Sequence, residues 1–172
     1  MSAVPQTTRL LSDAAYASID REIAKFPADQ KQSAVMAALA IAQREIGWTS
    51  AEIIEDVARV LGMPPIAVYE VATFYNMYDT QPVGKFKLSV CTCLPCALRD
   101  GGKAGEYIKS KLGIDYNETT ADGLFTLKES ECQGACGDAP VMLVNDRHMC
   151  SFMDNDKLDQ LVDGLRAAED SK

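Results

Sequence analysis

The clearest pattern in this 172-residue sequence is the stretch Lys85–Phe–Lys–Leu–Ser–Val–Cys91–Thr–Cys–Leu–Pro–Cys96. From Lys85 to Val90 polar residues alternate with apolar ones, which predicts a half-buried strand that ends at Cys91. Pro95 is compatible with the first turn of a helix. The stretch therefore predicts a strand, a turn with three cysteines, and a helix that starts beside them.

The remainder of the second half predicts a small sheet with helices. The turn residues Asn145–Asp–Arg147 separate two apolar segments and predict a hairpin. The predicted elements are a helix over residues 95–112 with Leu98 facing inward, a strand over 124–128, strands over 141–144 and 148–152, and a last helix around 158–165. The order strand, helix, strand, strand, strand, helix is a thioredoxin-like layout.

The first half predicts helices without catalytic chemistry. Apolar residues recur at spacings of three and four in four segments, which predicts four short helices packed as a bundle. The buried stripe of the first helix includes Phe26, and the third helix starts at the capping box Thr49–Ser–Ala–Glu52. The carboxylates of this half, including Asp56, are expected on polar faces, so it is expected to serve packing or docking.

The two halves are expected to form separate domains. Gln81–Pro–Val–Gly84 is rich in turn residues and predicts the boundary. We predict an α+β protein with a four-helix bundle-like domain over residues 1–80 and a thioredoxin-like α/β domain over residues 81–172. Residues 1–11 carry no periodic pattern and are expected to form a loose arm.

Composition limits the class of protein. The formal net charge of −8 at pH 7 argues against a nucleic-acid partner, because no basic face offsets phosphate charge. No apolar run approaches the roughly 20 residues of a membrane-spanning helix, and the N-terminus lacks the features of a signal peptide. We therefore expect a cytoplasmic chain with no direct membrane insertion, in which cysteines are ligands or redox groups rather than structural disulfides.

Four cysteines in two pairs form the candidate site: Cys91 and Cys96 on the first loop, and Cys132 and Cys136 on the second. A 2Fe–2S cluster suits them, because its two irons take two thiolates each. The spacings are wider than the two-residue spacing of most structural zinc sites, although spacing alone leaves zinc open. Gly134 allows backbone N–H groups to turn toward sulfur atoms.

A third chemistry competes for the first loop. Cys93–Leu–Pro–Cys96 follows a strand and opens a helix, as in a thioredoxin-like dithiol. The Ala139–Pro140 bond is a candidate for the cis proline that often accompanies such a pair. This thiol–disulfide oxidoreductase hypothesis leaves Cys91, Cys132 and Cys136 without a role, so it ranks below the cluster.

Residues 47–102, with the strip Phe74–Tyr–Asn–Met–Tyr78, closely resemble the small 2Fe–2S subunit family of NADH–quinone oxidoreductase, the enzyme also called respiratory complex I. The loop Cys132–Gln–Gly–Ala–Cys136–Gly–Asp–Ala–Pro140 resembles the same family, and the resemblance covers nearly the whole chain. It implies a helical domain followed by a thioredoxin-like domain in which Cys91, Cys96, Cys132 and Cys136 hold one 2Fe–2S cluster.

The resemblance also implies a partner. Members of this family bind a larger flavoprotein subunit that carries FMN and the NADH site, so no NADH site is expected in this chain. The implied location is cytoplasmic, peripheral on the inner face of the bacterial inner membrane. Close relatives serve NAD-reducing hydrogenases and NAD-dependent formate dehydrogenases, which are the alternative parent complexes.

Three residues fall outside the implied ligand set. Cys93 stands where the family commonly has Asn, and it is expected to be a hydrogen-bond donor near the cluster or to have no role there. Cys150 is expected to be a small buried apolar residue. His148 is the only histidine and is expected at the surface beside the hairpin turn.

Overall fold

The computed structural model describes residues 9–171. The chain divides into two compact units, of which the first ends at Pro82 and the second begins at Val83. The predicted domain boundary between residues 80 and 81 lies two residues before this division. Most of the predicted arm, residues 1–8, lies outside the described residues.

The described part of the first unit is helical, as predicted. Its helices are α1 (Asp13–Ile23), α2 (Val35–Ile46), α3 (Ala51–Leu61) and α4 (Pro65–Phe74). The side chain of Ser50 caps α3 by accepting a hydrogen bond from the Ile53 amide. The predicted cap, Thr49, is instead buried, and its hydroxyl donates to the carbonyl oxygen of Asp79 at 3.0 Å.

The core of the first unit lies between these helices. Ile19, Leu39, Val57 and Val68 are buried in it, one from each helix. Phe26 was expected in the same core but is 38% exposed, because α1 ends at Ile23 before the stripe reaches that position.

Asp56 also departs from the sequence prediction, which placed it on a polar face. It lies in the interior at 3% exposure, where it accepts a hydrogen bond from the Tyr16 hydroxyl and pairs with Arg59. A buried carboxylate needs such partners, because desolvation otherwise disfavours its charge. Asp56 therefore has a structural role, because its hydrogen bond to Tyr16 connects α1 with α3.

The second unit contains a four-stranded sheet. Its strands are β1 (Phe86–Cys91), β2 (Phe125–Ser130), β3 (Met142–Val144) and β4 (His148–Cys150), in the order β2-β1-β3-β4. β1 pairs with β2 in parallel, whereas β3 pairs antiparallel with both β1 and β4. The helices are α5 (Leu94–Ala97), α6 (Gly101–Leu112) and α7 (Asn155–Asp170). The predicted α+β class and order of elements are confirmed.

The predicted helix over residues 95–112 is interrupted. Asp100 adopts a left-handed conformation with φ of 66° and separates α5 from α6. This break turns Leu98 outward to 77% exposure, so its predicted inward orientation is wrong. Ile108 on α6 and Leu158 on α7 are fully buried in the core of this unit with Leu88 and Phe125 of the sheet.

Within residues 9–171, no single helix has the length and apolar composition of a membrane span. Among the helices of the described residues, α3 and α4 reach that length and composition only when taken together, and they meet at a bend of 120°.

Candidate metal centre

The parallel pairing of β1 and β2 brings both cysteine loops to one edge of the sheet. Cys91 is the last residue of β1 and lies opposite Ser130, the last residue of β2. The Thr92 amide extends the pairing by donating to the Ser130 carbonyl oxygen at 3.1 Å. Because parallel strands end at the same edge, the segment after β2 delivers Cys132 beside the end of β1.

Cys91 and Cys96 form a buried pair. Each is 1% exposed, and both pack against Ala139 and Val141. Burial and, to a smaller extent, the neighbouring Cys91 thiol raise the pKa of Cys96 to about 11. Without a metal the Cys96 thiol is therefore neutral at physiological pH.

Gly101 permits this burial. A Cβ atom built on Gly101 would lie 2.7 Å from the carbonyl oxygen of Cys96 and 3.1 Å from its Cβ. A side chain there would force α6 away from α5, which carries Cys96. The sequence analysis did not predict this packing role, because a glycine in a helix is otherwise only a weak helix former. Its position five residues after Cys96 is the sequence signal that could have indicated the role.

Cys132 and Cys136 form an exposed pair on the second loop. Their sulfur atoms are 3.9 Å apart, and the Gly134 amide donates to the Cys132 sulfur at 3.4 Å. Gly134 has φ of +76°, a conformation that glycine adopts without strain. The Gly134 amide, and after it the neighbouring thiols of Cys136 and Cys93, lower the pKa of Cys132. The pKa of Cys136 is raised, chiefly by its interaction with Cys132.

The second loop is fixed to the rest of the unit at both ends. The Gln133 side-chain amide donates to the Ser89 carbonyl oxygen of β1 at 2.8 Å. The Phe152 amide donates to the Asp138 carbonyl oxygen at 2.7 Å, and the Met153 amide to that of Pro140 at 3.0 Å. The Ala139–Pro140 peptide is cis, as anticipated from the sequence. The positioning role of Gln133 was not predicted, because a polar residue between two cysteines carries no pattern of its own.

The donors fit a two-iron cluster in chemistry, and the exposed pair also fits in spacing. Two thiolates bound to one tetrahedral metal at about 2.3 Å lie about 3.7 Å apart, close to the 3.9 Å between Cys132 and Cys136. The buried group that contains Cys91 and Cys96 packs against Ala135, the residue before Cys136. Within residues 9–171, His, Cys, Asp and Glu side chains form no group of three or more suited to a single metal ion.

The remaining cysteines and the histidine occupy different surroundings. Cys93 is partly buried beside Cys91 and Cys96. The dithiol hypothesis pairs Cys93 with Cys96, whereas the neighbouring thiol that most raises the pKa of Cys96 is that of Cys91. Cys150 is partly buried against the core of the sheet, and His148 is exposed, as expected.

The similarity of this chain to known proteins covers most of its length. The family described as "Thioredoxin-like [2Fe-2S] ferredoxin" matches residues 19–166. An NADH-quinone oxidoreductase subunit of Rickettsia conorii is 43% identical over 84% of this chain and 86% of its own. The NADH-quinone oxidoreductase subunit 2 of Thermus thermophilus is 38% identical over 88% of this chain and 83% of its own.

Solved structures show the same fold. An air-oxidised NAD+-reducing [NiFe]-hydrogenase matches with a TM-score of 0.70 at 19% identity. The match covers 83% of this chain but only 24% of the hydrogenase chain.

Proposed function

Because this chain belongs to the family of thioredoxin-like [2Fe-2S] ferredoxins, we propose that it is the electron-transfer subunit of an NADH–quinone oxidoreductase and carries one 2Fe–2S cluster. The observation that supports this most directly is the placement of two thiol pairs on loops at the same, carboxyl edge of β1 and β2. Cys91 and Cys96 would bind one iron, and Cys132 and Cys136 the other.

The chain gives the two pairs different environments. When bound, the cluster stores one electron at a time. Around Cys91 and Cys96, apolar Ala139 and Val141 exclude water. Around Cys132, the Gly134 amide offers a donor to a sulfur atom that carries negative charge. The exposure of Cys136 leaves one side of the site open for electron exchange.

The partner proposed here is a larger flavoprotein subunit that carries FMN and binds NADH. Apolar side chains border the cysteine loops and are exposed: Leu94 at 69%, Leu98 at 77% and Phe152 at 47%. Exposed apolar groups of this kind mark protein interfaces. We propose that this Leu94–Leu98–Phe152 surface docks the flavoprotein, and that the assembly holds the chain peripherally on the cytoplasmic face of the inner membrane.

The aromatic strip of the first unit supplies a second contact candidate. Phe74 is 79% exposed, whereas Tyr78 is buried and donates to the Met36 carbonyl oxygen at 2.7 Å. Only the exposed part of the strip is therefore available to a partner. We propose that Phe74 contacts another subunit.

The cluster is tested by analysis of the full chain purified without oxygen. We expect two iron atoms and two acid-labile sulfides per chain, and the low-temperature spin-resonance signal of a single 2Fe–2S centre after reduction. Stoichiometric zinc, or protein without iron and sulfide, would contradict the proposal.

The ligands are tested by single Cys→Ser variants at positions 91, 96, 132 and 136. Each variant should lose most of its iron and sulfide, because each cluster iron needs both of its thiolates. Cys150→Ser is the matched control, since Cys150 packs against the core of the sheet. A full cluster in any of the four variants would remove that residue from the ligand set.

The docking surface is tested by Leu98→Asp. The variant should retain its cluster but fail to co-purify with the flavoprotein, because a charge would have to be desolvated in the interface. Ala121→Asp makes the same exposed charge change at the amino end of β2, opposite the cysteine edge. If both variants bind equally well, the surface lies elsewhere. Genomic neighbours that encode a hydrogenase or formate dehydrogenase would favour those alternative parent complexes.

A further inference from the structure

The two sulfur atoms of the exposed cysteine pair lie close enough to be joined by a small movement. The Cys132 and Cys136 sulfurs are 3.9 Å apart, whereas the sulfurs of a disulfide are bonded at about 2.05 Å. The Gly134 amide donates to the Cys132 sulfur at 3.4 Å, which holds that sulfur against the loop that connects the two cysteines. A shift of about 1 Å at each sulfur would therefore bring the pair to bonding distance.

The connecting loop has room for this movement. Gly134 has φ of +76°, and a Cβ atom built on Gly137 would meet no atom within 4 Å. Neither glycine carries a side chain that resists a change in the backbone. The Gln133 side chain meanwhile attaches the loop to β1 by its hydrogen bond at 2.8 Å. The sulfurs can thus approach each other while the loop stays at the edge of the sheet.

The two cysteine pairs differ in their access to dissolved oxidants. Cys132 and Cys136 are exposed, whereas Cys91 and Cys96 are each 1% exposed. Thiol–disulfide exchange requires that the attacking sulfur reach the sulfur of the oxidant. Of these two pairs, only the exposed one meets that requirement in the folded chain.

We propose that Cys132 and Cys136 form a redox switch: before the cluster is inserted, a small-molecule disulfide such as oxidised glutathione converts them to a disulfide that blocks cluster assembly. This inference rests on the proposed function. The Cys132 thiolate attacks one sulfur of oxidised glutathione and releases one glutathione thiolate. The Cys136 thiolate then attacks the Cys132 sulfur of the mixed disulfide and releases the second. The two electrons and two protons lost by the cysteine thiols convert oxidised glutathione into two glutathione thiols.

The disulfide prevents assembly because each cluster iron needs two thiolates, and sulfurs bonded to each other no longer supply them. An added thiol reverses the exchange and restores both ligands. The disulfide also keeps the exposed sulfurs from the sulfinic and sulfonic acid states, which thiols do not reverse. The redox state of the exposed pair thus decides whether the chain accepts iron.

The first test treats the full chain, freed of iron under reducing conditions, with oxidised glutathione and measures its mass and its linked peptides. We expect the loss of the mass of two hydrogen atoms and a Cys132–Cys136 linkage. Cys136→Ser should stop at a glutathione adduct on Cys132, because the second thiol is missing. Cys150→Ser is the matched control and should form the linkage, since Cys150 packs against the core of the sheet. A lasting glutathione adduct on the unsubstituted chain, or a linkage between other cysteines, would overturn the proposal.

The second test adds ferrous iron and sulfide to the linked chain, for a period short enough that mass analysis still finds the linkage. The linked chain should retain no cluster, whereas the same chain reduced with dithiothreitol and desalted should retain two irons and two sulfides. A full cluster in the linked chain would overturn the switch. Failure of the reduced chain to bind iron and sulfide would instead refute the proposed function, which the mass measurement does not test.

Discussion

Cys91 and Cys96 are almost completely buried, whereas Cys132 and Cys136 lie exposed on a loop. The first pair is positioned by regular structure: the end of β1, the first turn of α5, and the contact of α5 with Gly101. The second pair depends on a left-handed glycine and on hydrogen bonds from Gln133 and Gly134. Substitutions that alter core packing should therefore disturb Cys91 and Cys96. Substitutions that alter the backbone conformation of the second loop should disturb Cys132 and Cys136.

The largest expected effect is on the buried pair. Gly101→Ala places a methyl group in steric overlap with the Cys96 backbone, and relief of that overlap should cost about 1–3 kcal/mol of unfolding free energy. Urea unfolding of the iron-free chain measures this cost. Gly102→Ala is the adjacent control, because a Cβ there meets no atom within 4 Å. It should leave stability unchanged or raise it by about 0.5–1 kcal/mol. Equal stability of the two variants would show that α5 and α6 adjust freely.

The second prediction compares the chemical reactivity of the pairs. In the iron-free chain at pH 8, iodoacetamide should label Cys132 at least about 100-fold faster than Cys96, because the thiolate is the reactive form. Cys132 is exposed and its pKa is lowered, whereas Cys96 is buried with a pKa of about 11. As pH rises, labelling of Cys132 should level off first. Peptide mass spectrometry over time measures both rates; similar rates would show that the first pair opens to solvent.

A smaller effect is expected at the exposed pair. Gly134→Ala must hold a side chain at φ of +76°, which costs about 1–2 kcal/mol if the loop keeps its conformation. If the loop relaxes instead, the amide moves away from the Cys132 sulfur, and labelling of Cys132 should slow. Gly137→Ala serves as the control in the same loop, since its Cβ meets no atom within 4 Å. Unchanged stability and unchanged labelling together would contradict the role assigned to Gly134.

The smallest effect concerns the sulfur atoms themselves. In the iron-free chain, Cys96→Ala removes a buried sulfur and should reduce stability by about 1 kcal/mol. Cys136→Ala at the exposed position should stay within about 0.5 kcal/mol of the unsubstituted chain. Denaturant unfolding of the two variants in parallel provides the measurement. A larger loss for Cys136→Ala would reverse the comparison.

Local patterns predicted much of the fold. Apolar spacing indicated the helices of the first unit, and alternation indicated β1, because each pattern reflects the period of a single element. Errors arose where the outcome depended on where an element ends or on neighbours distant in sequence. Phe26 has the spacing of a buried residue but follows the end of α1, and Leu98 turns outward because Asp100 breaks the helix.

At the candidate site, too, local sequence patterns predicted some features, and others depended on residues distant in sequence. The grouping of cysteines into Cys91 with Cys96 and Cys132 with Cys136 follows from their positions on two loops. Their relative burial does not, because it depends on whether Ala139, Val141 and Gly101 pack against a given sulfur. Asp56, expected on a polar face, is buried for a similar reason: Tyr16 of another helix supplies its partner.

The sequence by itself determined the residue types at the site, the two-loop arrangement and the order of strands and helices, since these depend on short-range periodicity and on the chemistry of thiols. The tertiary structure alone decided which pair is buried and that Cys93 packs against it. The physical reason is that burial and hydrogen bonding are properties of atoms brought together by packing. Here the parallel pairing of β1 with β2 sets the positions of both loops.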